Sequence, residues 1–116
     1  KLKAIKILGL VGLEVSPNDQ YLNLTLLETM KAYRSRNVGK ILIAFSFFIS
    51  KKYIDSKYDE KRTLKPPYFM TIASKTNARE YYEKKIGATC SPEECDMFII
   101  DEKLGNNLIS DYLTND

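Results

Sequence analysis

The chain has 116 residues, 44% of them apolar and 28% charged, with a net charge of +3 and no histidine. That length suits one domain with an ordinary core, argues against two, and the apolar content excludes disorder throughout. Without histidine, Ser-His-Asp and Cys-His catalysis are excluded, and any chemistry must run on Tyr, Asp, Glu, Lys, Cys, Ser, the backbone or water.

In chain order, Lys1 to Lys6 reads as a strand or a frayed end, and Gly9 to Val15 as a strand with Val11, Leu13 and Val15 on one side. Ser16-Pro17-Asn18-Asp19 is a turn, because proline presets φ and Asn and Asp tolerate turn geometry. Tyr21 to Met30 places Leu22, Leu24 and Leu26 at a period of two, the spacing of a half-buried strand, which completes a β-hairpin. After a basic turn, Val38, Ile41, Leu42, Phe45, Phe48 and Ile49 recur at three and four, which predicts a helix from Val38 to Tyr53. Phe45, Phe47 and Phe48 read as core. Asp55 to Lys65 is polar and reads as a solvated loop, and Pro66-Pro67 bars helix.

Tyr68 to Ser74 has the composition of a strand covered on both faces, and one helix beyond β-structure it implies a right-handed β–α–β crossover with a parallel pair. Asn77 with Glu80 can form a capping box for a second helix running to Ile86 and closed by Gly87, with Ala78, Tyr82 and Lys85 on one face and Tyr81 turned elsewhere. Cys90 to Cys95 reads as a polar turn and Asp96 to Asp101 as a strand. Gly105-Asn106-Asn107 reads as a break, and Leu108 to Leu113 as a last strand or a short helix.

The longest apolar run, Ile41 to Ile49, is interrupted by Ser46 and falls short of the roughly 20 residues that span a bilayer, so no membrane is expected. No leader is visible, although the chain begins at Lys1, which leaves an upstream segment open. Two cysteines without histidine argue against zinc or another metal, and reduced thiols in a cytoplasmic protein are the default.

The organising stretch is Tyr33-Arg34-Ser35-Arg36-Asn37-Val38-Gly39-Lys40, between strand and helix. A helix N-terminus presents unpaired N–H groups and the positive end of its dipole, so Arg34, Arg36 and Lys40 around it make a plausible cradle for phosphates. The plain alternative is a basic connector with a helix-start glycine.

The order strand, basic glycine turn, helix, strand, Asn-capped helix with Tyr, then Gly and strand resembles the GCN5-related N-acetyltransferase (GNAT) superfamily over Gly9 to about Asp101. That family's pyrophosphate loop reads Gln/Arg-x-x-Gly-x-Gly/Ala, and Arg34-Ser35-Arg36-Asn37-Val38-Gly39 is similar to it at the first and last defined positions, with Asn37 where the first glycine belongs. Asparagine is the non-glycine residue most tolerant of positive φ. Asn77-Ala78-Arg79-Glu80-Tyr81-Tyr82-Glu83-Lys84-Lys85-Ile86-Gly87-Ala88 resembles Asn-x-x-Ala-x-x-x-Tyr-Glu-Lys-x-Gly-Phe. It keeps the Ala78-to-Tyr82 spacing, displaces the asparagine, adds one residue before Gly87, and has Ala88 for the aromatic.

The resemblance implies one α/β domain over 1–116, a mixed β-sheet flanked by helices on both faces, with a splayed parallel strand pair and with the family's first strand and helices missing. It implies direct transfer of an acetyl group from acetyl-CoA to an amine, without metal. Leu27, Glu28 and Thr29 would bind the pantetheine arm through backbone groups, and Arg34, Ser35, Arg36, Asn37, Val38, Gly39 and Lys40 the pyrophosphate. Asn77 would touch the pantetheine, and Tyr82 would protonate the departing thiolate. The acceptor could be a small molecule, a peptide N-terminus or a lysine.

Each role has a bland counterpart. Tyr82 could be a half-buried packing residue, as helical tyrosines usually are. Glu28 reads more simply as an exposed strand residue than as a general base, because no partner for it is evident. Lys51-Lys52 and Lys84-Lys85 read as solvated faces. A degenerate module that binds coenzyme A or a protein partner without turnover is the main alternative. Nucleic-acid binding through the basic turn is the weaker third, not favoured by so small a net charge, and a homodimer stays open.

Overall fold

A computed structural model of the chain describes residues 9–29, 37–61, 65–73, 79–90 and 97–113. Five strands form one sheet in the order β1-β2-β3-β5-β4. β1 (Gly9–Val15) and β2 (Leu22–Thr29) make the expected antiparallel hairpin. Its turn is held by Ser16, whose Oγ accepts from the amides of Gln20 and Tyr21 at 3.1 and 3.2 Å.

The leucine alternation does not run the length of β2. The register slips between Gly12 and Leu13, so that Leu13 faces Leu24 while Gly12 faces Leu26, and Thr25 is the extra residue. A bulge of this kind reverses which side chains face the core beyond it. Leu22 and Leu24 are buried, whereas beyond the slip Leu27 packs on the core and Leu26 is exposed. A period-two reading cannot carry through a bulge, and Leu26 is accordingly misplaced by it.

β2 continues through α1 (Val38–Lys61) to β3 (Phe69–Ala73), and β2 and β3 are parallel, as the crossover argument requires. α1 runs well past Tyr53, through most of the stretch read as a loop. No proline or glycine interrupts it there, Ile54 is fully buried, and the Tyr53 hydroxyl donates to Asp19 Oδ1 at 2.6 Å. Lys57 pairs with the same carboxylate. Tertiary anchoring thus supplies helix stability that a polar composition conceals.

β5 (Met97–Asp101) lies between β3 and β4 (Thr89–Cys90), antiparallel to both. β4 is a two-residue edge strand where the sequence suggested only the beginning of a turn. The chain then enters α2 (Glu102–Tyr112), capped by Asp101, whose Oδ1 accepts from the Leu104 amide at 2.8 Å. Gly105-Asn106-Asn107 therefore sits inside a helix. Its glycine is a packing device, since a Cβ at Gly105 would lie 2.3 Å from the ring of the fully buried Phe47 on α1.

Leu24, Met70, Ile72, Phe98 and Ile100 share one face of the sheet through their register and form a continuous core with Ile43, Ala44 and Phe47 of α1, Tyr82, and Leu108 of α2. Burying such a leucine or phenylalanine stabilises by about 1.5–3 kcal/mol each. The described helices therefore collect on one face, and a second helical layer is not among the described residues. Of the phenylalanines read as core on α1, only Phe47 is inside. Phe45 and Phe48 are exposed and stacked on each other with ring centroids 6.5 Å apart.

Candidate functional site

The parallel ladder joining β2 and β3 is short. Only Asn23 with Thr71 and Leu24 with Ile72 are paired, and Thr71 Oγ1 donates to Asn23 Oδ1 at 2.8 Å across the join. Beyond Leu24, β2 continues to Thr29 with β1 as its only strand partner among the described residues. Backbone N–H and C=O groups on a strand edge that no described strand covers can serve an extended ligand. Leu27, Glu28 and Thr29 belong to this edge.

The start of α1 lies beside the end of β2. A Cβ at Gly9 would come within 2.7 Å of the Glu28 carbonyl oxygen, 2.9 Å of Leu42 Cδ1 and 3.1 Å of Val38 Cγ1. Glycine at that position lets strand and helix close up. Asn37, immediately before the helix, has φ 61°, a left-handed conformation that favours glycine, and its carbonyl accepts the Ile41 amide at 3.0 Å. The asparagine therefore holds the glycine-like turn. Asn37 is exposed, Val38 and Lys40 are half-buried, and Gly39 is buried. Lys40 directs its Nζ over the Tyr112 ring, 5.8 Å from the centroid. Arg34, Ser35, Arg36 and Asn77 lie outside the described residues.

Tyr82 sits on a π-helix spanning Tyr81–Ile86, closed by Gly87 at φ 85°, whose N–H donates to the Tyr82 carbonyl. The sequence carries one residue more before Gly87 than the family pattern. A π-helix closes its hydrogen bonds one residue wider than an α-helix. Tyr82 is only 4% exposed, its ring centroid lies 5.7 Å from that of Phe98, and burial raises its pKa above the usual phenol value.

Tyr81 is not turned elsewhere, as an α-helical 100° step suggested. Its ring stands edge-on to that of Tyr82 at 5.7 Å and packs against the core. Burial first, then the neighbouring Tyr82 and Tyr112, push its pKa up to about 12. Tyr81 and Tyr112 escaped the sequence reading, the first through the altered winding and the second because the terminal element was ambiguous. Phenols raised in this way stay protonated at neutral pH. They can donate a proton but cannot act as a base. Among the described residues no group of three His, Cys, Asp or Glu could hold a metal ion, and no helix is long and apolar enough to cross a membrane.

No family model and no curated protein matches the chain. Among solved structures, the chain is similar to the KacTA–DNA complex at 12% identity and a TM-score of 0.53, covering 78% of this chain and 53% of that one. It is also similar to a mutant of the toxin AtaT bound to the C-terminus of the antitoxin AtaR, at 10% identity and a TM-score of 0.56, over 94% of this chain and 66% of that one. The AtaT complex that also contains acetyl-CoA aligns at 12% identity with a TM-score of 0.55, over 89% and 65%. The chain thus spans about half to two thirds of the length of these structures. At such identities the likeness establishes the fold, a mixed-sheet GNAT type, in agreement with the sequence resemblance. One of the neighbours is a DNA complex, so the expectation that nucleic acid is set aside finds no support.

Proposed function

Starting from this fold, we propose that the chain binds acetyl-CoA and transfers its acetyl group to an amine. The observation that carries the reading is the meeting of a β2 edge that, among the described residues, has no β3 partner beyond Leu24 with a helix start in a left-handed turn. The acetyl-CoA complex of a structural neighbour supports it. The diphosphate is assigned to the turn around Asn37 with Arg34, Arg36 and Lys40. The pantetheine arm is assigned to the backbone of Leu27, Glu28 and Thr29, with Asn77 beside it. The thioester carbonyl then faces the strand edge, where an amide can stabilise the oxyanion while the amine adds and the C–S bond breaks. Tyr82 is the proposed donor to the departing thiolate. Protein partners are proposed by the same route, since AtaT is bound to an antitoxin peptide.

The near-complete burial of Tyr82 favours a second reading, in which the module binds coenzyme A without turnover. The two are separated by melting and thiol-release measurements. Coenzyme A at 100 times its dissociation constant should raise the melting temperature by about 10 °C, and Arg34→Glu or Lys40→Glu should reduce the shift. Thiol release from acetyl-CoA with an amine panel, lost in Tyr82→Phe at unchanged coenzyme A affinity, marks the enzyme. A melting shift without thiol release marks the binder, and no melting shift refutes both.

A further inference from the structure

On α1, opposite the buried Ile43, Ser50 and Ile54, the helix shows apolar side chains to solvent. Ile41, Phe45 and Phe48 are 39%, 48% and 42% exposed, and exposed Lys52 continues the line. The positions 41, 45, 48 and 52 fall in one narrow stripe, with the spacing of the seam along which two helices pack. Half-buried Leu42 and Ile49 widen it on one flank. No carboxylate occurs between Val38 and Ile54, whereas Lys52 ends the stripe and Lys40 and Lys51 lie along its other flank. Among the described residues these lysines form no salt bridge: Lys40 stands over Tyr112, Lys52 over Phe48 at 5.4 Å from the ring centroid, and Lys51 donates to Asn106 Oδ1 at 2.9 Å. Asp55, the first acid along the helix, is taken by Lys65 and by the Tyr68 hydroxyl.

We propose that this stripe docks an acidic amphipathic helix of a partner protein, its apolar seam laid on Ile41, Phe45 and Phe48 and its carboxylates beside Lys51 and Lys52. The seam spacing asks for a helix, and lysines without carboxylates ask for acid. A second copy of this chain fits worse. Antiparallel pairing centred on the two phenylalanines sets Lys52 of each copy beside Ile41 and Lys40 of the other, and parallel pairing sets Lys52 on Lys52, so like charges meet either way. A single-stranded nucleic acid needs open ring faces for its bases, and the Phe48 ring already meets Phe45 and the Lys52 ammonium. The docking surface does not depend on acyl transfer.

The test is a 15N-resolved titration of the full chain with synthetic peptides of about three heptads that carry leucine at the seam positions. One peptide has glutamate beside the seam and the other lysine, and oligo-dT is the nucleic-acid probe. The glutamate peptide should shift the amides of Ile41, Phe45, Phe48 and Lys52 and bind about tenfold more tightly than the lysine peptide or oligo-dT. Phe45→Ser and Phe48→Ser, at sites exposed enough to keep the fold, should each weaken it about tenfold. Lys52→Glu should weaken it about three- to fivefold and strengthen the lysine peptide, an exchange that loss of structure alone does not produce. No binding of the glutamate peptide, equal binding of the two peptides, or tighter binding of oligo-dT overturns the proposal. So does sedimentation of a dimer that Phe48→Ser dissociates, which gives the stripe to a second copy.

Discussion

Asn37 offers a direct measurement of the turn on which the proposed phosphate site depends. Its φ of 61° lies where an ordinary L-residue places Cβ against the following carbonyl, at a cost of about 1–2 kcal/mol that asparagine partly escapes and glycine escapes entirely. Asn37 is exposed, so its replacement removes little packing and the change in stability reads the backbone conformation. The amide-to-carbonyl bond from Ile41 to Asn37 uses main-chain atoms and survives any substitution that keeps the turn. We expect Asn37→Gly to match or exceed the parent, Asn37→Ala to lose about 1 kcal/mol, and Asn37→Val, with its branched Cβ, about 2 kcal/mol. With a urea slope of about 1–2 kcal/mol per molar for a domain of this size, the valine variant should unfold roughly 1–2 M earlier. The assay is urea denaturation followed by circular dichroism, with coenzyme A affinity measured on the same proteins. If valine is as stable as glycine, the left-handed turn is not what this sequence adopts, and the proposed phosphate site loses its geometry.

Gly105→Ala should destabilise although alanine is the better helix former, because the new methyl would stand 2.3 Å from the Phe47 ring. A contact that short puts the overpacking near the upper end of about 1–3 kcal/mol, so against a propensity gain of about 1 kcal/mol the net loss is up to about 2 kcal/mol, which Phe47→Leu should relieve in the double variant. An alanine variant that melts at or above the parent contradicts the packing of α1 on α2. The raised phenol pKa of Tyr81 gives a pH prediction of definite sign. Since the folded state favours the neutral phenol, the stabilisation is complete below pH 10 and is lost as pH climbs toward about 12. About 1–2 kcal/mol, discounted for the half-exposed ring, should separate parent from Tyr81→Phe in the steepness of alkaline unfolding between those values. Identical alkaline unfolding profiles would remove the buried cluster of tyrosines from the account.

Local rules written along the chain were enough to establish the hairpin, the crossover helix, the parallel β2–β3 pair and the glycine closure after Ile86, because periodicity, turn chemistry and handedness act over a few residues. The resemblance drawn from the Arg34–Gly39 and Asn77–Ala88 segments reached the right fold, and Asn37 adopts the positive φ that its side chain allows. Other features depended on contacts between residues far apart in sequence. The slip at Thr25 moved Leu26 out and Leu27 in, the Asp19 anchor extended α1 beyond Tyr53, and Phe47 turned Gly105 from a helix breaker into a helix–helix contact. Along the π winding of Tyr81–Ile86, the Tyr81 ring stands beside that of Tyr82. Sequence periodicity predicts which face a residue takes only while the backbone geometry stays regular. Bulge, π turn and close glycine contact each break that regularity where the rest of the fold holds the chain in place.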